Sequence, residues 1–433
     1  MAGNATSHDI ERAGPLADIR VLDLTRVIAG PLATQIIGDL GADIVKIERP
    51  NGGDDSRHIG PPWMPGGAEA KLKDSTYYHS VNRNKRSMTV DFSNPRWCEI
   101  LREMAKRCDV FVENFRPGTL RKYGLDYENL KQLNPGLIYC SLSGFGQDGP
   151  YSSRSGYDYL AQGMSGLMTV TGHPEDMPGG GPMRVGIPLV DILSGMNAAT
   201  AIIAAIRHRD RMGEGQHIDI SLFESAIASM LNPTSAWLNS QHSIGLTSND
   251  HPSAAPYGIF EVDDGHLIIA TFSDREFVRL AKALGHEEWI EDPRFAQNEA
   301  RVANRETLKQ FVTHALRGRT RAEWTDLLNA ATVSCGPINK MEDLELDPQV
   351  IAREILVSMD RDAGIPVRTI ASPLRFSSSP ASYRRPPPAP GEHTAEILHE
   401  YFDLTEEEIA SLYGACDADS AGREHNRYKQ AET

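Results

Sequence analysis

Cations stand near the ends of predicted strands, at Arg49, Arg116, Arg121, Lys122 and Arg154. In an open α/β sheet that edge faces the ligand crevice, so these groups can meet phosphate there. Two aspartates complete the set of reactive candidates. Asp191 immediately precedes a long apolar run, a pattern that by itself predicts a helix N-cap accepting backbone N–H bonds. Asp158, in Ser155-Gly156-Tyr157-Asp158, reads as a turn aspartate bonded to its own backbone. The basic cluster Asn82-Arg83-Asn84-Lys85-Arg86-Ser87 is expected to be a solvated loop ahead of a strand.

Several common chemistries are excluded by the residues present. The first βα turn, Thr25-Arg26-Val27-Ile28-Ala29-Gly30-Pro31, lacks the G-x-G-x-x-G of a dinucleotide site. Ser141-Leu142-Ser143-Gly144 is not a nucleophile elbow, and His286-Glu287-Glu288 is not a zinc-protease helix. Cys98, Cys108, Cys140, Cys335 and Cys416 are scattered without a C-x-x-C pair, so neither a disulfide framework nor a metal is expected. A net charge of -15 argues against nucleic acid as a partner, and any polyanionic ligand must find a local basic pocket.

The elements that would position these residues follow from periodicity. Strands are expected over 19–24, 43–48, 88–91, 109–113 and 137–142, with helices over 31–40, 95–107 and 120–133 between them. Strands alternating with helices imply an α/β fold with a doubly wound parallel sheet. The stretch 192–206 is rich in small residues and shorter than the ~20 apolar residues a bilayer crossing needs, so it reads as a buried helix rather than a membrane span. Apolar runs around Asp263-Asp264-Gly265 predict a hairpin, and with it a second domain. At 433 residues two cores are expected: a large domain over 1–222, a small α+β domain over 223–333, and a segment 334–433 returning to the first. Arg384-Arg385-Pro386-Pro387-Pro388 should be an extended connector, and residues 417–433 a poorly ordered tail. The leader carries Asp9 and Glu11 and no apolar core, which favours a cytoplasmic protein.

Ordered blocks along the chain resemble the family III CoA-transferases. They are Val21-Leu22-Asp23-Leu24-Thr25-Arg26-Val27-Ile28-Ala29-Gly30-Pro31, Asp39-Leu40-Gly41-Ala42-Asp43, Val45-Lys46-Ile47-Glu48-Arg49-Pro50, the basic cluster at 82–87, Val112-Glu113-Asn114-Phe115-Arg116-Pro117-Gly118, Ser143-Gly144-Phe145-Gly146, Gly156-Tyr157-Asp158, and Asp191 with Ser194-Gly195. The resemblance spans about Leu16 to Leu412. It implies a Rossmann-like large domain, an interlocked ring-like homodimer, and acyl-CoA as substrate with no metal. By position, the resemblance makes Asp191 the catalytic nucleophile, reversing its reading as a cap. It puts CoA contacts at Ile28, Ala29, Arg49, Asn114, Phe115, Arg116, Lys122, Ser155, Gly156, Tyr157 and Asp158.

Within the family, Asp54-Asp55-Ser56-Arg57, Gly60-Pro61-Pro62, Ser75-Thr76-Tyr77-Tyr78 and Arg385-Pro386-Pro387-Pro388 look most like the branch moving CoA from succinyl-CoA to dicarboxylic acids such as glutarate. A second substrate carboxylate wants a cation, and Arg26 and Arg57 are the candidates, Arg26 preferred. Formate- and oxalate-using relatives differ at the positions of Arg26 and Ile28 and carry a tetraglycine loop that does not occur here. Two alternatives stay open. An α-methylacyl-CoA racemase shares the fold, but the racemases compared place a histidine where this chain has Tyr157, a poor base near pH 7. A CoA-binding protein without catalysis is the other. Gly163, Gly166 and Gly186 are candidates for close backbone approach at the site.

Overall fold

Strand β1 (Arg20–Asp23) is buried along Val21 to Asp23 without alternation, as expected for a strand with parallel neighbours and both faces covered. The computed structural model describes residues 14–65, 75–361 and 365–414, so the tail 417–433 expected to lack order lies outside the described residues. After β1 come α1 (Ala29–Asp39), β2 (Asp43–Glu48), β3 (Lys85–Thr89), α2 (Pro95–Ala105), β4 (Val110–Glu113), α3 (Tyr127–Leu133), β5 (Ile138–Ser143), α4 (Asp158–Met164), α5 (Leu189–Met212) and β6 (His217–Ser221). The six strands form one parallel sheet in the order β3-β2-β1-β4-β5-β6, with Val21 opposite both Ile44 and Val110. Strand order reverses between β1 and β4, and ligands of open α/β sheets bind beyond the carboxyl ends at such a point.

Each face of the sheet has its own core. Leu22, Val45, Trp97, Leu101 and Phe111 pack on one side, joined by Ile397 and Leu398 from the helix Thr394–Phe402. Val21, Ile44 and Val110 pack on the other against Ala33 and Ile37 of α1 and Ala198 and Ile202 of α5. α5 is the one described helix long and apolar enough to cross a membrane, yet its small residues bury it against α1 and the sheet. A Cβ on Gly195 would lie 2.6 Å from the Ala29 carbonyl oxygen, so this glycine permits the contact between α5 and the start of α1. Local signals set the helix ends: Asn94 caps the start of α2 ahead of Pro95, and Gly213, at φ 77°, ends α5 after Arg209 and Arg211.

The basic cluster corrects an expectation, because Asn82 through Ser87 are all buried. Arg83 forms a forked pair with Asp39, Lys85 reaches Asp23 at 3.1 Å, and Arg86 forks onto Asp43. The partners lie 44, 62 and 43 residues away in sequence, which is why a local charge run read as solvated. β3 accordingly begins inside the cluster rather than at Met88. The helix expected over 120–133 is broken: a 3-10 turn, Thr119–Tyr123, stops at Gly124 with φ 65°, and α3 starts afresh from the Asp126 cap.

The chain divides into two compact units, one of residues up to 165, 186–229 and from 354 on, the other of 166–185 and 230–353, against the 223–333 expected for the smaller domain. In the second unit Tyr257–Val262 and Gly265–Ala270 form the predicted antiparallel hairpin. Ser334–Pro337 adds a third strand to it. Residues 384–388 form neither helix nor strand, in keeping with the connector expected there.

Candidate active site

α5 begins at Leu189 after Pro188, which offers no side-chain cap. Asp191 is therefore the third residue of the helix and not its N-cap. The capping acceptor comes from α4 instead: Asp158 Oδ2 accepts the backbone N–H groups of Val190 at 2.7 Å and Asp191 at 3.2 Å. Gln162 Nε2 donates to the other Asp158 oxygen at 2.7 Å and holds the carboxylate in place. With the orphan N–H groups met from outside, the Asp191 carboxyl makes no hydrogen bond or ion pair among the described residues. Burial, and then the negative charge of Asp158, push Asp191 up to about 7.

Asp191 opens into a cavity of about 320 Å³ at the carboxyl ends of the sheet. The loop after β1 contributes Arg26, Val27, Ile28 and Ala29, and the loop after β4 contributes Asn114, Phe115 and Arg116. The segment before α4 contributes Arg154, Ser155, Gly156, Tyr157 and Asp158. That segment crosses the loop after β5 backbone to backbone, since a Cβ on Gly144 would sit 2.4 Å from the Gly156 Cα. Close approach is thus provided by Gly144, Gly156 and Gly195, whereas Gly166 and Gly186, anticipated for it, meet no tight neighbour.

The wall carries the guanidinium groups of Arg26, Arg116 and Arg154 and the carboxyls of Asp55, Asp158 and Asp191. Arg26 pairs with Asp55 at 2.9 Å and lies over the Phe115 ring, 5.3 Å from its centroid. Arg154 stacks on Tyr151 at 3.8 Å. Arg116 is exposed and makes no ion pair among the described residues. Asn114 is committed to the backbone: its Oδ1 accepts Arg26 N–H at 3.0 Å and its Nδ2 donates to Arg26 C=O at 2.8 Å. Glu113, buried at the end of β4, accepts the Phe115 N–H at 2.8 Å, and burial pushes its carboxyl up to about 7.

Most residues singled out from sequence therefore meet in one place, but Arg49, Lys122 and Arg57 do not line the cavity. Arg49 bonds Asp55 and the Gly53 carbonyl, and Lys122 lies over Tyr123. Arg57 is 6% exposed, forks onto Glu48 at 2.8 and 2.7 Å, donates to Pro388 C=O and stacks 3.5 Å from the Tyr78 ring centroid. Its guanidinium belongs to the core, which leaves Arg26 as the cation of the pair that faces the cavity. Sequence reasoning missed Tyr77, half-buried in the short helix Thr76–His79. Burial pushes its phenol up, reinforced by the charges of Asp191 and Asp158, so it is electrically coupled to both. In the sequence it stood only within Ser75-Thr76-Tyr77-Tyr78, a segment quoted for its resemblance and not for a role at the site.

An uncommitted carboxyl that ionises near neutrality, in a pocket with cations and exposed loop backbone, is suited to attack an activated carbonyl. Among the described residues no group of three or more His, Cys, Asp or Glu is placed to hold a metal ion.

Comparison with known proteins leads to the same chemistry. A succinate–glutarate CoA-transferase from Agrobacterium fabrum is 43% identical over 393 residues, covering 90% of this chain and 96% of the relative. A human succinyl-CoA:glutarate CoA-transferase is 37% identical over 407 residues, covering 94% of this chain and 90% of the relative. The crystal structure of a CAIB/BAIF family protein from Brucella suis superposes with a TM-score of 0.80 at 39% identity, covering 90% of this chain and 100% of that one. The model of CoA-transferase family III matches residues 16–394, a span that contains every residue of the cavity just described, and the chain is a member of that family of enzymes.

Proposed function

We propose that this CoA-transferase moves CoA from succinyl-CoA to a dicarboxylic acid of the glutarate type, with Asp191 as the covalent carrier. The observation that carries the reading is the free, half-buried Asp191 carboxyl beside cations in a cavity of about 320 Å³. The names of the relatives supply the substrate class.

Each step conserves charge and needs no oxidant or ATP. An Asp191 oxygen attacks the thioester carbonyl of succinyl-CoA; the C–S bond breaks, leaving a mixed anhydride and CoA thiolate. The thiolate attacks the aspartyl carbonyl and releases succinate, giving an aspartyl-CoA thioester. The acceptor carboxylate attacks that thioester and expels the thiolate, which then attacks the acceptor's carbonyl to form the new acyl-CoA and restore Asp191. A half-buried position withholds water from the anhydride, and backbone N–H groups around the cavity offer hydrogen bonds to the developing oxyanions.

Arg26 binds the distal carboxylate of the dicarboxylate, exchanging its bond to Asp55 for one to substrate. Ile28, Ala29, Phe115, Arg116 and Ser155 to Asp158 contact CoA directly, Asn114 acts through the Arg26 backbone, and Arg49 and Lys122 meet phosphate outside the cavity. The sheet order supports a Rossmann-like large domain. An interlocked homodimer rests on family resemblance and a cytoplasmic location on the free thiols of Cys98, Cys108, Cys140 and Cys335, and light scattering at micromolar concentration tests the dimer. Incubation with succinyl-CoA and hydroxylamine should convert Asp191 to a hydroxamate detectable by peptide mass spectrometry. An unmodified Asp191 in an enzyme that turns over would refute the covalent mechanism.

A further inference from the structure

Val27 lines the cavity with φ at 72°, in the left-handed region that β-branched residues rarely occupy because Cβ crowds the following carbonyl. A conformation of that kind persists only where neighbours over-determine it. Here the neighbour is Asp54, 1% exposed, whose Oδ1 accepts the Val27 N–H at 3.1 Å. The same carboxylate is itself held rigidly. Ser56 donates from its backbone N–H at 2.9 Å and its hydroxyl at 2.8 Å, and Lys46 Nζ donates to Oδ2 at 2.8 Å. Lys46, fully buried, also donates to the Thr25 carbonyl at 2.9 Å, so one ammonium ties Asp54 to the residue two before Val27. Burial opposes the Asp54 charge, but Lys46 and the Ser56 donors outweigh it and hold the carboxyl down at about 2. The next residue, Asp55, takes the Arg26 guanidinium.

We infer that Asp54 is a positioning residue for acyl-CoA binding: through its bond to the Val27 N–H it holds the loop after β1 in the one conformation that presents Arg26, Ile28 and Ala29 to the cavity. The inference rests on the reading that acyl-CoA occupies this cavity. It gives the Asp54-Asp55-Ser56-Arg57 tetrad a physical role, with Asp54 setting the loop backbone and Asp55 setting the Arg26 side chain. If only the clamped conformation binds, apparent affinity falls by the fraction of molecules that retain it, whereas turnover of bound substrate does not.

The test is a double-mutant cycle of Asp54→Ala, which removes the acceptor of the Val27 N–H, with Val27→Gly, following KM for succinyl-CoA and kcat separately. Asp54→Ala should raise KM about tenfold with kcat within about threefold, the pattern of a binding-competent fraction near a tenth. Glycine enters the left-handed region without steric penalty, so adding Val27→Gly should recover most of that KM. An unchanged KM in Asp54→Ala, or a double variant whose KM is the product of the two single effects, would overturn the inference. Hydrogen exchange on the wild-type protein decides it independently of how the variants fold. The Val27 amide should be strongly protected, and exchange at the rate of a free amide rules the clamp out. Failure of the wild type to bind acyl-CoA would instead refute the assignment of the cavity, while the exchange result still decides the clamp.

Discussion

Asp158 and Asp191, separated by a whole excursion of the chain, meet where one Asp158 oxygen accepts the backbone N–H of Asp191 at 3.2 Å. Two carboxyls brought to one helix N-terminus have taken different duties. Asp158 satisfies the orphan N–H groups of α5, so the Asp191 carboxyl is left unengaged and facing the cavity. The negative charge that caps the helix also raises the affinity of Asp191 for a proton.

On the proposed mechanism, Asp191→Ala removes the carboxyl that forms the anhydride. CoA transfer should fall by at least about a thousandfold, or about 4 kcal/mol of transition-state stabilisation, while calorimetry should find CoA binding intact. Near-normal turnover in this variant would exclude Asp191 as carrier.

The pH dependence has a definite sign. Asp191 must be ionised to attack and does so at about 7, so kcat/KM should rise with pH through that region. Asp158→Asn keeps an acceptor oxygen for the α5 N–H groups but removes the charge that disfavours ionised Asp191. Its acid limb should therefore move to lower pH, giving a larger share of maximal activity at pH 6 than the wild type retains. A limb that stays in place or moves upward contradicts the electrostatic coupling.

Glu113 links pH to stability. Its carboxyl is pushed from 4.5 to about 7 in the folded protein by burial. A raised pKa means that its contribution is fully present below the unfolded value and is lost as pH climbs from about 4.5 to about 7, by an amount of order 3 kcal/mol. Glu113→Gln cannot ionise, so urea unfolding should show it gaining stability relative to wild type between pH 5 and pH 8. Parallel profiles for the two proteins would contradict the buried-carboxyl account.

Arg26 and Arg57 should separate cleanly. Arg57→Ala strands Glu48 in the core without its forked partner, and loss of one member of a buried pair typically destabilises by about 3 to 5 kcal/mol. Arg26→Ala breaks a half-exposed pair with Asp55, so unfolding should change by less than about 1 kcal/mol while KM for the dicarboxylate rises. Thermal melts and acceptor kinetics on both variants decide it, and an Arg26→Ala enzyme with an unaltered acceptor KM removes Arg26 from the site.

What sequence alone determined was whatever depends on near neighbours. The run Asp43–Glu48, the start of α2 at Pro95 and the turn at Asp263-Asp264-Gly265 are set by interactions within a few residues, and each stands where periodicity and turn chemistry put it. Family resemblance drew most of the cavity residues to the same list without saying how they meet. Tertiary structure alone decided which carboxyl caps α5 and which is free, that Arg57 pairs with Glu48, and that Arg83, Lys85 and Arg86 are core groups. For the α5 cap and for Arg83, Lys85 and Arg86 the partner is supplied by a distant part of the chain, and Arg57, whose Glu48 lies nine residues away, is also held by the carbonyl of Pro388. A charge is tolerable in the interior only when its counter-charge arrives with it, and only the folded sheet brings the two together.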